Sequence, residues 1–137
     1  MDWHEPIHPQ IVVLANGVFD ILHVGHVRYL EAAAQMGDKL IVSVTRDKFV
    51  NKGDGRPIYN EQERLEVVQA LRCVRSVVLV DGALDALERV GPDIFVKGRE
   101  YENRIEKIHE DYCKAHGIEI RFTDTETVRP RDRLRQG

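Results

Sequence analysis

Residues 16–26, Asn-Gly-Val-Phe-Asp-Ile-Leu-His-Val-Gly-His, place two imidazoles three residues apart, His23 and His26, with Gly25 between them. They directly follow an apolar run over residues 11–15. An apolar run closed by Asn16-Gly17 reads as a buried strand ending in a tight turn, and the histidines fall where a helix begins. The first turn of a helix offers N–H groups without intrahelical partners and a partial positive charge, so it attracts phosphate. Gly25 admits a ligand close to the backbone, and side chains at i and i+3 share one helix face. The segment therefore predicts a triphosphate held over a helix end, with two histidines donating to it. The plainer alternative is a pair of histidines that merely cap the helix. That alternative accounts for one histidine better than for the whole set Gly17, Phe19, Asp20, His23, Gly25 and His26.

A site of this kind needs a frame that brings several loops to one edge. Apolar, β-branched runs at residues 11–15, 40–45, 77–80, 94–96 and 119–122 alternate with helix-period segments at 24–36, 60–72, 83–90 and 105–116. Gly37, Gly91-Pro92 and Gly117 are placed to stop three of those helices, and Asn60 with Glu63 forms a capping pair at the start of another. The alternation predicts the α/β class: a Rossmann-like, doubly wound, five-stranded parallel sheet in a single domain, with the first strand central. Ligands of such sheets sit at the carboxyl ends of the strands. Residues 16–26, the Gly/Pro-punctuated loop 51–59 with Lys52 and Arg56, and residues 97–101 would all line that edge.

The chain has 137 residues and a formal net charge of -3, enough for one domain with a real core and without the basic surface of a general nucleic-acid binder. Cys73 and Cys113 form no C-x-x-C and suit a reduced compartment. Residues 1–10 contain no apolar signal core, and no apolar stretch approaches the roughly 20 residues that span a bilayer. A cytoplasmic protein, binding neither nucleic acid nor membrane, is the expectation. The organisation read from the sequence is an N-terminal extension over 1–10, a domain over 11–126, and an Arg-rich tail, or the start of a further segment, over 127–137. A metal site built from His4, His8, His23 and His26 would need fixed ligands that the Pro-interrupted start does not provide, so no protein-borne metal is expected.

The Gly17, Phe19, Asp20, His23, Gly25, His26 frame resembles the nucleotidylyltransferase (cytidylyltransferase-like) family, which carries H-x-G-H after a G-x-F-D turn. The resemblance runs from about residue 12 to 126. Members join a nucleoside triphosphate to a phosphorylated alcohol or sugar, releasing pyrophosphate, with Mg²⁺ carried on the nucleotide and no covalent enzyme intermediate. The resemblance implies that His23 and His26 contact the triphosphate, with Lys52 as a basic residue over the phosphates. Asn16, Gly17, Phe19, Asp20 and Gly25 would shape the phosphate turn. Phe19 would pack to fix it, and Asp20 would orient a histidine or backbone donors, or else only bond its own loop. Arg64 would lie near the substrate phosphate, with a surface pairing to Glu61 or Glu63 as the alternative. Val96-Lys97-Gly98-Arg99-Glu100-Tyr101 resembles the family's V-K-G-x-[DE]-[YW] segment, which implies that Lys97 and Gly98 face the nucleotide while Glu100 and Tyr101 border the acceptor.

The end of the chain departs from the family pattern. In place of a Ser/Thr cluster after Thr125-Glu126 it has Arg129-Pro130-Arg131, so Arg129 stands as a substitute phosphate donor if the segment is not simply a tail. The Gly-Arg-Pro loop and Leu71–Val74 most resemble the branch represented by the adenylyltransferase domain of ADP-heptose synthase, a role in cell-surface polysaccharide biosynthesis. The compact size also suits the glycerol-3-phosphate cytidylyltransferase branch, so ATP and CTP both stand. A non-catalytic nucleotide-binding module is the alternative from another class. Members are commonly dimers, and Trp3, Tyr59 and Tyr112 are candidate anchors for a homodimer.

Overall fold

Side-chain alternation along the first strand, β1 (Val12–Gly17), decides the layering of the domain. Val13 and Ala15 point into one layer and Leu14 into the other, and all three are fully buried. A strand covered on both faces is the signature of a parallel sheet with helices on either side. The computed structural model describes residues 9–124 and shows that arrangement. Its remaining strands are β2 (Lys39–Thr45), β3 (Ser76–Val80), β4 (Ile94–Lys97) and β5 (Glu119–Phe122). The helices are α1 (Val24–Ala34), α2 (Glu61–Gln69), α3 (Ala83–Val90) and α4 (Lys107–Ala115). The strand order is β3-β2-β1-β4-β5 with every neighbour parallel, so β1 is central as the sequence predicts.

Two cores result. On one face α1 and α2 cover Val13, Ala15, Leu40, Val42, Val44, Ile94 and Val96, with Tyr29, Leu30 and Ala33 supplied by α1. On the other, Ala86, Leu87 and Cys113 from α3 and α4 cover Leu14, Val80 and Phe95. The buried Tyr29 hydroxyl donates to the Val96 carbonyl oxygen at 2.7 Å, tying α1 to β4. Among the described residues no helix is long and apolar enough to cross a membrane.

Local differences from the sequence reading have definite causes. The first strand runs through Asn16 and Gly17 instead of turning there, because these residues pair with Ser43 and Val44 of β2. Gly37 is no left-handed helix stop. A Cβ at that position would lie 2.6 Å from Val13 Cγ2 and 2.8 Å from the Ile11 carbonyl oxygen, so glycine is required there by close packing against the start of β1. Gly91 (φ 57°) and Gly117 (φ 68°) do take the left-handed conformation that ends a helix. The helices α1 and α2 end two or three residues early, at Ala34 and Gln69.

The chain crosses from β3 on one side of β1 to β4 on the other, which makes the β1/β4 boundary the topological switch point. The carboxyl ends meeting there carry Asn16-Gly17 and Lys97-Gly98.

Candidate active site

Beyond Gly17 the chain must turn sharply into α1, and an aromatic ring fixes the turn. Phe19 takes a positive φ of 54° and is 5 % exposed. Its ring lies so close to Gly17 that a Cβ there would come within 2.8 Å of Cζ, which is why position 17 is glycine. The other side of the Phe19 ring meets His26 edge-on, with centroids 5.3 Å apart.

The two histidines hold each other. His23 is the N-cap of α1, and its Nδ1 accepts from Gly25 N at 3.0 Å. His26 Nδ1 accepts in turn from His23 N at 3.2 Å, closing a reciprocal capping box. The rings lie 4.0 Å apart, tilted by 39°. A neutral imidazole that accepts at Nδ1 carries its proton on Nε2. Each ring therefore carries its proton on Nε2, with its orientation set by the backbone. Capping, one of the two alternatives weighed in the sequence, therefore uses Nδ1 of both rings and does not exclude the other. The N–H of Gly25 is taken by His23 Nδ1.

Burial holds the His26 pKa down at about 4, reinforced by repulsion from Lys52 and from His23 whenever that ring is protonated. His26 is thus neutral at pH 7, while an unfolded histidine titrates near 6.5. Between those values the unfolded chain takes up a proton that the folded one refuses, so stability must fall as pH drops from 6.5 toward 4. Thermal melts across that window should show the decline, with a shallower slope for His26→Gln. Equal slopes would refute the assignment.

Asp20 lies inside the protein, 3 % exposed. Its carboxylate accepts from Arg56 Nε at 3.0 Å, Ile58 N at 2.7 Å and Tyr59 N at 3.1 Å. Burial alone would raise its pKa, but the two backbone donors and the Arg56 guanidinium outweigh that and lower it. It orients backbone donors of the 51–59 loop, and neither histidine.

Arg64 is likewise enclosed, 1 % exposed, and differs from both sequence readings. It donates to the Tyr59 carbonyl oxygen at 2.9 Å, to the Val18 carbonyl oxygen at 2.8 Å and to Asp47 Oδ1 at 2.6 Å. It locks the phosphate turn to the loop and to the 3-10 turn at Asp47–Phe49 instead of facing an acceptor or pairing with Glu61 or Glu63. The capping box that starts α2, Asn60 with Glu63, forms as read from the sequence.

On the β4 side, Asn16 Oδ1 accepts from the buried Ser43 hydroxyl at 2.7 Å, which fixes the amide at the end of β1. Lys97 Nζ lies 4.3 Å from the centroid of the Tyr101 ring and 5.7 Å from that of Phe95. Burial lowers the Lys97 pKa, against the opposing fields of Glu106 and Glu100. The Glu100 carboxylate packs on Gly98, in the space a Cβ there would occupy. Glu106 also lies 3.9 Å from His109 Nε2, adding two titratable groups that the sequence reading passed over. Their i, i+3 spacing at the start of α4 was the available signal. Lys52 stands on the exposed part of its loop, close enough for its charge to act on His26. Arg129 and Trp3 lie outside the described residues, as do His4 and His8. Tyr59 is 46 % exposed, whereas Tyr112 stacks on His116 at 4.0 Å and packs against the second core.

A doubly wound parallel sheet with an H-x-G-H helix start at its switch point is the architecture of a nucleotidyltransferase. The profile of the cytidylyltransferase-like family matches residues 14–130. The chain belongs to that family. It is 39 % identical over 140 residues to the bifunctional protein HldE of Gluconobacter oxydans, covering 98 % of this chain and 28 % of the relative. With HldE of Citrifermentans bemidjiense it shares 48 % identity over 94 residues, covering 66 % of this chain and 19 % of that protein. The chain thus spans 19 to 28 % of the length of these relatives. Among solved structures, the lipopolysaccharide core biosynthesis protein of Thermoplasma volcanium superposes with a TM-score of 0.70 at 30 % identity, covering 88 % of this chain and all of that one.

Proposed function

We propose that this domain transfers AMP or CMP from ATP or CTP to a small phosphorylated sugar or polyol, a heptose phosphate first among them. An oxygen of the acceptor's phosphate attacks the α-phosphorus in line, the bond to the β-phosphate breaks, and pyrophosphate leaves. The observation that carries this reading is the reciprocal histidine cap at the switch point, which spends Nδ1 of both rings on the backbone and sets the direction of Nε2 on each. Chemistry of this kind needs positioning and charge stabilisation more than a side-chain nucleophile. His23 and His26 donate to the triphosphate as charge grows on it, and Lys52 supplies a cation from the loop above. Asn16 and Gly17, with Lys97 and Gly98 across the switch point, border the nucleotide, while Glu100 and Tyr101 border the acceptor. Arg129 belongs to the same proposal as a phosphate donor.

Among the described residues no three His, Cys, Asp or Glu side chains gather as a metal site, and the Asp20 carboxylate is spent on the loop. Such a donor set fits Mg²⁺ held chiefly by the phosphates of the nucleotide, as this ion commonly is. When bound it neutralises the polyphosphate. The similarity to the HldE proteins and to the lipopolysaccharide core protein supports an acceptor used in surface polysaccharide assembly. A homodimer in the cytoplasm completes the reading, with the exposed Tyr59 as a contact.

Pyrophosphate release, measured with ATP and CTP against heptose, glycerol and other polyol phosphates, tests it. Turnover with one nucleotide and one acceptor class is the expected result. Tight nucleotide binding without turnover on any acceptor would instead establish the binding module.

A further inference from the structure

The loop that carries Lys52 is moored to the site through two buried residues, Arg64 at Tyr59 and Asp20 nearer the loop's exposed part. Asp20, whose side chain is fully buried, receives Arg56 Nε on its carboxylate and a second guanidinium nitrogen of Arg56 on its backbone carbonyl. Ile58 N and Tyr59 N reach the same carboxylate. In the other direction Asp20 is the residue after Phe19, whose ring edge meets His26, and it lies three before His23. One residue thus ends the phosphate turn and anchors the loop.

Of these anchors, Arg56 is the one next to the loop's exposed portion. Residues 51–55 are all exposed, Gly53 and Gly55 take positive φ (93° and 76°), and nothing lies within 4 Å of a Cβ built on either. The mooring from Ile58 and Tyr59 lies beyond Arg56 and does not hold the glycines.

We propose that Arg56 is a positioning residue for nucleotidyl transfer: by gripping both the carboxylate and the carbonyl of Asp20, it holds the glycine-hinged loop so that Lys52 stays on the His26 side of the site. This inference rests on the role given to Lys52 above. Arg56 touches no reacting atom and acts through the place it gives Lys52. The two-point grip uses the planar fork of a guanidinium, which a lysine ammonium cannot reproduce.

The test has one readout without substrate and one with it. His26 of the ligand-free protein is titrated by NMR, where burial, His23 and Lys52 together set its low value. With Arg56→Ala the loop leaves, and the His26 titration rises from about 4 to the same position that Lys52→Ala gives. The double variant then adds nothing further. Arg56→Lys keeps the charge but loses the fork, and should shift His26 in the same direction by less, which separates the mooring from a direct field of Arg56. In turnover, Arg56→Ala lowers kcat/KM by up to about a hundredfold, the scale of an ångström misplacement, and contributes almost no further loss when Lys52 is already alanine. An unshifted His26 in Arg56→Ala, or losses that multiply independently with those of Lys52→Ala, would overturn the proposal. Turnover with an unshifted His26 would reject the mooring and leave the transfer reading standing; a shifted His26 without turnover would do the reverse. Should Arg56→Ala fail to fold, Arg56→Lys and Arg56→Gln carry the same two readouts.

Discussion

Replacing His23 with asparagine is expected to lower kcat for nucleotidyl transfer by about a hundredfold or more while leaving the melting temperature nearly unchanged. Asparagine is a strong N-cap and can accept from the α1 backbone as the His23 Nδ1 does, so the helix start survives. What disappears is Nε2–H, one donor to charge that grows in the transition state. Loss of such a donor costs on the order of 3 kcal/mol in comparable sites. His23→Ala should show the same loss of kcat plus a drop in stability of about 1 kcal/mol for the missing cap. His26→Ala is expected to match it in activity, since its Nδ1 closes the reciprocal half of the box. The fall should appear in kcat as well as kcat/KM, because uniform nucleotide binding would raise KM alone. Near wild-type turnover in His23→Asn, with the true substrate pair, would mean that the histidines do nothing but cap.

The capping reading of the histidine pair was available in residues 16–26 and forms in the structure through Nδ1 of each ring, while donation to a triphosphate, which belongs to the proposed function, would use the other nitrogen. The frame was legible for an equally physical reason. Continuous β-branched runs of the kind that strands covered on both faces show, such as residues 40–45, and paired stop signals such as Gly91-Pro92 leave few alternatives to a parallel sheet. Three things were hidden. The extension of β1 through Asn16 and Gly17 depends on pairing with Ser43 and Val44, a contact across 27 residues that no local pattern announces. Gly37 looks like any helix stop, but its need is set by Val13 and Ile11 in three dimensions. Arg64 was read near the substrate phosphate from the family resemblance, and Asp20 as orienting a histidine or backbone donors. The chain uses both as internal ties, and their burial became visible only once the 51–59 loop was folded over them.

Arg64→Ala is accordingly expected to be among the most destabilising substitutions in the domain. The side chain is 1 % exposed, and three of its nitrogens are committed to Tyr59, Val18 and Asp47. Truncation withdraws all three bonds at once and opens a void between α2 and the phosphate turn. Two carbonyl oxygens lose their charged donor, and Asp47, whose side chain is 38 % exposed, falls back on water. The lost bonds to a charged group, partly offset by hydration of Asp47, come to about 3 kcal/mol. A loss of that size lowers the melting temperature of a domain of this length by roughly 10 °C. Arg64→Lys should recover only a fraction, because a single ammonium cannot serve three acceptors arranged around a planar fork. Thermal or urea denaturation of the purified variants gives the measurement. If Arg64 instead met the acceptor phosphate, its alanine variant would keep its melting temperature and raise only the KM for the acceptor. The two outcomes do not overlap, since a group with its donors spent inside the protein fails first in stability, and loses activity only as the turn carrying His23 loosens.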